Sequence, residues 1–258
     1  MITLTTGQIE GWIAAWLWPF MRIGACLMVA PVFGAAFVPA RMRLVLAGAI
    51  TVMVAPLLAQ PEVPMFSVQG LIVTVQQLLI GVAIGFVLQV VFDALAMGGQ
   101  LLANTMGLSF AFNVDPLRGT GAPVVGQFYT LVATLTFLAL NGHIAIVRAL
   151  TDGFMTLPIS VDGLNPEGFW QVAQWGTQLF RGALMVALPG VTALLVVNLA
   201  FGVVSRAAPS LNLFAIGFPV TLIAGLLIIL AGLPAMQSGF VRLMQDGMQF
   251  VVALLGGG

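Results

Sequence analysis

Lysine is absent from this chain, so all eight of its cations are arginines. That excludes a phosphate-cradling P-loop lysine and a Schiff-base lysine. A single cysteine, Cys26, rules out an internal disulfide, and its apolar neighbours make it a packing residue. The lone histidine, His143, cannot supply a metal-binding cluster. No G-x-S-x-G, H-E-x-x-H or P-loop pattern occurs, and Asp93 with a distant partner is not a credible acid–base pair. Neither an enzyme nor a cofactor is expected. Net charge is zero, which gives no case for nucleic acid. Charge of either sign is scarce: 6% of residues are charged, against about 25% in a soluble domain, so the chain cannot clothe a water-facing surface.

What is present is apolar. Hydrophobic residues make up 60% of the chain and mean hydropathy is +1.12. The expectation is an all-α polytopic membrane protein of long kinked helices and hairpins. The first charge is Glu10, and no basic region precedes the first apolar run, which argues for an uncleaved first helix. That run, Ile9–Phe37, carries Trp12, Trp16 and Trp18, suited to a membrane interface, with Pro19 and Pro31 as kink sites. A second, short run covers Leu44–Leu58. Val68–Thr105 is too long for one bilayer crossing and should break or project beyond it. Val124–Leu150 follows, then a polar loop from Thr151 to Gly168, then another overlong run, Phe169–Val204. Val220–Leu233 is strongly apolar, and Met236–Leu255 reads as a separate amphipathic segment. Arg41, Arg43, Arg118 and Arg206 mark alternate loops, and Glu62 with the Asp152–Glu167 loop marks the others. The positive-inside rule then gives about six spans with the N-terminus outside.

Two patterns stand out. In Val68–Thr105, small and polar positions recur every four residues: Gln77, Gly81, Gly85, Gln89, Asp93. At 3.6 residues per turn such a stripe winds by about 40° per step. The Gly81/Gly85 pair permits close backbone approach, and the stripe reads either as ordinary helix packing or as an interface to several subunits. The second pattern is Met106–Pro123, an irregular stretch between two apolar runs, with Asp115-Pro116 breaking any helix. It is oily, carrying Phe110 and Phe112, and lipid accepts irregular backbone only where protein or a water-filled cavity surrounds it. It is therefore a buried connector or a plug in a conduit. Four ionisable groups, Arg22, Asp93, Arg148 and Arg181, fall inside apolar runs. They should face the interior, as helix-to-helix ion pairs or as the lining of a pathway.

The frame S-R-x-x-P-x-x-N-x-F-x-x-G-F-P, from Ser205 to Pro219, holds Arg206, Pro209, Asn212, Phe214, Gly217 and Pro219. It resembles the signature of the FliR/SpaR/SctT family of type III secretion export-gate proteins, in its flagellar branch. Gly98–Asn113 resembles that family's G-x-Q run ending in M-G-x-S, Asp115-Pro116 follows at the usual place, and Pro39 with Arg41 and Arg43 resembles an early P-x-R turn. One departure is that Gln76 and Gln77 stand where many relatives carry an acid. The resemblance covers essentially the whole chain. It implies a subunit of a FliP–FliQ–FliR gate in the bacterial inner membrane at the flagellar basal body, associated with an FlhB-like switch protein and with lipid. It implies a fold like a fused FliP-like and FliQ-like pair, with residues 1–123 as the FliP-like half and 124–258 holding the FliQ-like hairpin. Its cargo would be unfolded flagellar proteins.

The family's lumen plug maps onto Met106, Phe110, Phe112, Asn113, Asp115, Pro116 and Arg118, with Gly107, Gly119 and Gly121 as candidate hinges. Arg206, Pro209, Asn212, Phe214, Gly217 and Pro219 would shape a helix break. Gly81, Gly85, Gln89 and Asp93 would form a helix-packing interface. The competing expectations are a small-solute transporter or channel, and a scaffold around a conduit that other subunits form.

Overall fold

The computed structural model describes residues 6–60, 63–108, 124–207 and 213–256, with backbone alone at 6 and 213–216. Every regular element among them is helical: α1 (Thr6–Val29), α2 (Ala40–Val54) continued by a 3-10 turn (Ala55–Leu57), α3 (Val68–Thr105), α4 (Val124–Ala139), α5 (Gly142–Thr156), α6 (Pro166–Trp175), α7 (Gln178–Ala207) and α8 (Leu213–Leu255). An all-α fold is what lipid demands, because an α-helix satisfies its own backbone hydrogen bonds. Five segments are long and apolar enough to cross a membrane, or six if α4 and α5 count as one broken span.

The helix boundaries have local causes, and several differ from the sequence reading. The first apolar run does not continue to Phe37. Helix α1 stops at Val29, ahead of Pro31, and Val32 takes a left-handed φ of 69°. Arg43 then clamps the turn, its Nη2 donating to the carbonyls of Ala35 (2.7 Å) and Val38 (2.9 Å). The Val124–Leu150 run is interrupted at Asn141, whose φ of 56° is one that Asn tolerates better than most residues. The polar loop shrinks to 157–165, since α5 runs on to Thr156 and α6 starts at Pro166. Asn165 caps α6 by accepting from the Gly168 N–H at 2.7 Å, with Pro166 in the first turn and Glu167 favourably placed against the helix dipole. Val220–Leu233 and Met236–Leu255 are one helix of 43 residues, with Pro234 inside it. Helix α3 does not break either: 38 residues give it a length of about 57 Å, against roughly 30 Å of bilayer hydrocarbon.

The described chain divides into two compact units interleaved in sequence. One comprises residues 1–90, 141–176 and 245–258, and the other comprises 91–140 and 177–244. In the first, Ile23 and Leu27 of α1, Ala47, Ile50 and Val54 of α2, and Phe154 of α5 form one buried cluster. Trp18 packs with Ala14 and Val73 and donates its indole N–H to Thr74 Oγ1 at 3.0 Å. Gly81 and Gly85 lie directly on α1. A Cβ at Gly81 would collide with the Arg22 carbonyl oxygen and lie 2.9 Å from Ala25 Cβ; one at Gly85 would lie 2.8 Å from the Cys26 carbonyl oxygen. In the second unit, Phe92 of α3 sits edge-on between Phe137 of α4 (5.6 Å) and Phe240 of α8 (5.3 Å). A Cβ on Gly99 would lie 2.8 Å from Gly126 Cα, and one on Gly98 3.1 Å from the Ala183 carbonyl oxygen. Thus α3 packs through glycine in both units.

These contacts predict a selective cost. Gly81→Ala drives a methyl group into the α1 backbone and lowers stability by about 1–3 kcal/mol, the usual penalty of overpacking. Gly48→Ala, where nothing lies within 4 Å of the added methyl, does not lower it and raises it by up to about 1 kcal/mol, since Ala is the better helix former. Thermal unfolding of the detergent-purified chain measures both.

Candidate functional site

Of the four ionisable groups placed inside apolar runs, only Arg22 faces the interior. It is fully buried, whereas Asp93, Arg148 and Arg181 are exposed on the chain. Long apolar runs conceal which flank of a helix packs inward, so periodicity did not separate these cases. Arg22 Nε donates to Gln77 Oε1 at 2.7 Å. Its Nη1 donates to the carbonyls of Gly153 (3.3 Å) and Leu157 (3.0 Å), and its guanidinium carbon lies 4.2 Å from the centre of the Phe154 ring. Those carbonyls end α5, where the helix dipole favours a cation. One side chain of α1 is thereby tied to α3 and α5. The neighbouring Gln76 donates to the Val161 carbonyl at 2.8 Å and holds the loop before α6. The two glutamines flagged by the sequence as a departure thus bind two separate parts of this unit.

The expected helix-packing residues divide. Gly81 and Gly85 are buried against α1 of the same chain, so their surface is already occupied. Gln89 is half-buried and Asp93 exposed.

The base of the expected plug is well defined. Helix α3 ends in a Schellman motif: the Leu108 N–H donates to the Ala103 carbonyl (3.0 Å) and the Gly107 N–H to the Asn104 carbonyl (3.1 Å). Gly107 has φ 80°, the left-handed geometry that makes glycine the natural residue there. Gly107 is therefore a helix stop with its hydrogen bonds made, not a loose hinge. Met106, 1% exposed, is seated on α8: a Cβ at Gly225 would lie 2.5 Å from Met106 Cε and Cγ. One turn earlier Leu102 is seated on α7, 2.6 Å from a Cβ at Gly190. The Asn198 side chain donates to the Thr105 carbonyl at 3.4 Å. These sockets escaped the sequence reading because a single glycine in an apolar helix carries no pattern.

Phe110, Phe112, Asn113, Asp115, Pro116 and Arg118, with Pro209 and Asn212, lie outside the described residues. Arg206 occupies the last turn of α7, and Phe214, Gly217 and Pro219 lie within α8. Among the described residues no group of three or more His, Cys, Asp or Glu is placed to hold a metal.

Residues 13–247 match the family described as bacterial export proteins, family 1. The chain is 41% identical over 234 residues to the flagellar biosynthetic protein FliR of Escherichia coli (strain K12), covering 91% of this chain and 90% of that one. This chain belongs to the FliR family. It is 40% identical over 227 residues to FliR of Pectobacterium carotovorum, covering 88% and 87% of the two chains. FliR of Aquifex aeolicus is 32% identical over 241 residues, with 92% of each chain covered. The protein is a membrane-embedded component of the flagellar protein export apparatus.

Two substitutions probe this geometry. Arg22→Ala leaves Gln77 Oε1 and the Leu157 carbonyl without their donor and costs about 1–3 kcal/mol, the usual penalty of a buried polar group left unsatisfied. Retention of wild-type thermal stability would refute the tie. Gly225→Val unseats Met106 and reduces stability, and Met106→Ala in the same chain recovers most of the loss; a double mutant no better than the single would show that the socket is not the cause.

Proposed function

We propose that this FliR-family chain works in the bacterial inner membrane, at the flagellar basal body, as a subunit of an export gate built with FliP-like and FliQ-like chains beside an FlhB-like switch protein. On this reading the chain folds like a fused FliP-like and FliQ-like pair. Unfolded flagellar proteins leave the cytoplasm through the conduit the subunits enclose, and Met106–Pro123 closes it.

The observation that carries the reading is the exposure of helices too long for the bilayer. Only 17% of the most apolar window of α8 is buried within the chain, against 67% for α3, and α8 exceeds 40 residues. A helix of that length, showing Ile223, Leu226, Leu227 and Leu230 outward, has apolar surface beyond what about 30 Å of lipid can cover. Unlike subunits are the natural cover. A small-solute transporter gains little support. It would gather several charges about an interior site, yet Arg22 is committed to structural bonds, and Asp93, Arg148 and Arg181 are exposed.

A gate for unfolded chains must be wide when open and tight to small solutes when closed. Two phenylalanines supply dehydrated packing worth about 1.5–3 kcal/mol each, enough to hold a closed state without locking it. The fixed helix end at Gly107 gives such a stretch a firm point of departure.

Three measurements test the reading. Purification of the tagged chain should recover a hetero-oligomer by native mass measurement; isolation without unlike partners refutes the gate. Deleting residues 110–119 should make cells carrying assembled complex permeable to small sugars, with Phe110→Ala plus Phe112→Ala a milder form. Leu226→Ala at equal assembly should not leak, and a tight deletion complex would return the stretch to a connector. Finally, Asn212→Leu should lower recovery of the complex and motility if the break between α7 and α8 shapes assembly.

A further inference from the structure

The exposed surface of the second unit is of two kinds. Helix α7 shows Leu184, Leu188, Leu195 and Leu199 between the exposed Arg181 and Arg206, and α8 shows Ile223, Leu226 and Leu230 well before the exposed Gln237, Ser238 and Arg242, so the middle of each is suited to lipid or an apolar partner. Helix α3 differs: in the same unit every residue it exposes is polar, namely Asp93, Gln100 and Asn104. These lie seven and eleven residues from the first, two and three turns of helix, which brings all three within about 20° of one line. They span about 16 Å of helix axis, the length of about five residues of extended chain. Polar groups on a membrane helix are costly to present to hydrocarbon, so this line is not a lipid face.

We propose that Asp93, Gln100 and Asn104 form a water-facing strip of the conduit, along which the extended backbone of an exported protein slides. The inference rests on the gate reading given above. A side-chain amide carries the same donor and acceptor as a peptide group. Gln100 and Asn104 therefore offer an extended chain what water or another strand would offer, whatever the cargo's sequence. The strip also ends where α3 stops at Gly107 and the chain enters the stretch assigned to closure. A partner subunit covering the same line would need a fixed match for each amide, whereas a moving unfolded chain and its water need none.

Single-cysteine chemistry in the assembled complex tests this, and the native chain suits it because Cys26 is fully buried. Gln100→Cys and Asn104→Cys are compared with Leu226→Cys and Leu230→Cys in permeabilised cells, using a membrane-impermeant maleimide. The thiolate is the reacting species and apolar surroundings suppress it, one unit of pKa meaning about tenfold less. Positions 100 and 104 should label at least about tenfold faster than 226 and 230, and arrest of a cargo fused to a folded domain that cannot pass should abolish that labelling. Slow labelling at 100 and 104 would place the line against lipid or protein and overturn the proposal. Fast labelling unaffected by arrested cargo would also overturn it, since the strip would then be wet but outside the path. Co-purification and the leak of the 110–119 deletion are read on the same strains. If both behave as a gate requires while the thiols stay unreactive, only the strip is refuted. If no hetero-oligomer forms and no cargo can be arrested, the gate reading falls and takes the strip with it.

Discussion

In hydrocarbon, apolar side chains gain nothing by leaving lipid for one another, so helices must be held by close contact and by polar bonds between them. This chain meets that constraint through α3. Its glycines let α1 come down on the backbone in one unit, at Gly81 and Gly85, and let α4 and α7 do so in the other, at Gly99 and Gly98. Where α3 carries bulk, it does the reverse: Leu102 and Met106 fill places left by glycines on α7 and α8. Arg22 adds the polar bonds, joining α1 to Gln77 and to the last carbonyls of α5. Within each unit the neighbouring helices pack on α3, which is socket in the first and both socket and knob in the second.

The sequence disclosed this unevenly. Fold class followed from composition, because 6% charge and long apolar runs leave a membrane chain no alternative to helices. The cap of α6 is written in Asn165-Pro166-Glu167, but acids so close to a Pro and a Gly suit a solvated loop equally well, and only the Asn165–Gly168 bond separates the two. The join across Pro234 is hidden for a different reason. Proline marks a boundary in water, but in lipid its neighbours can re-satisfy the freed carbonyl, and α8 runs through it. The Gly81/Gly85 pair was legible as a contact, though not which helix it touches. Arg22 could not be told apart from Arg148 or Arg181, because hydropathy alone gives no phase to a helix that is apolar all round.

Function was legible through a different channel. No catalytic constellation could be read, and what directed the reading was a frame of helix-breaking and polar residues between Ser205 and Pro219 together with the oily stretch after Gly107. The family match extends over residues 13–247 and so embraces both. For this component of the export apparatus the legible signal was not a catalytic set. Its signature lies in which backbone is regular, which is not, and which faces stay uncovered.

The Schellman stop at Gly107 also constrains the chain as an evolving object. Helix α3 is fixed at its far end by a left-handed glycine and along its length by knobs and sockets of definite phase. One residue inserted in its middle would turn everything beyond it by about 100° and advance it about 1.5 Å. Placed between Gly99 and Leu102, it would swing Leu102 and Met106 off their glycines while Gly98 and Gly99 stayed in place. Within that unit the helix behaves as a keyed shaft whose sockets and knobs cannot be rephased independently. Length variation among functional relatives should accumulate in the turns 30–39 and 157–165, where the backbone is already irregular and no register has to be kept.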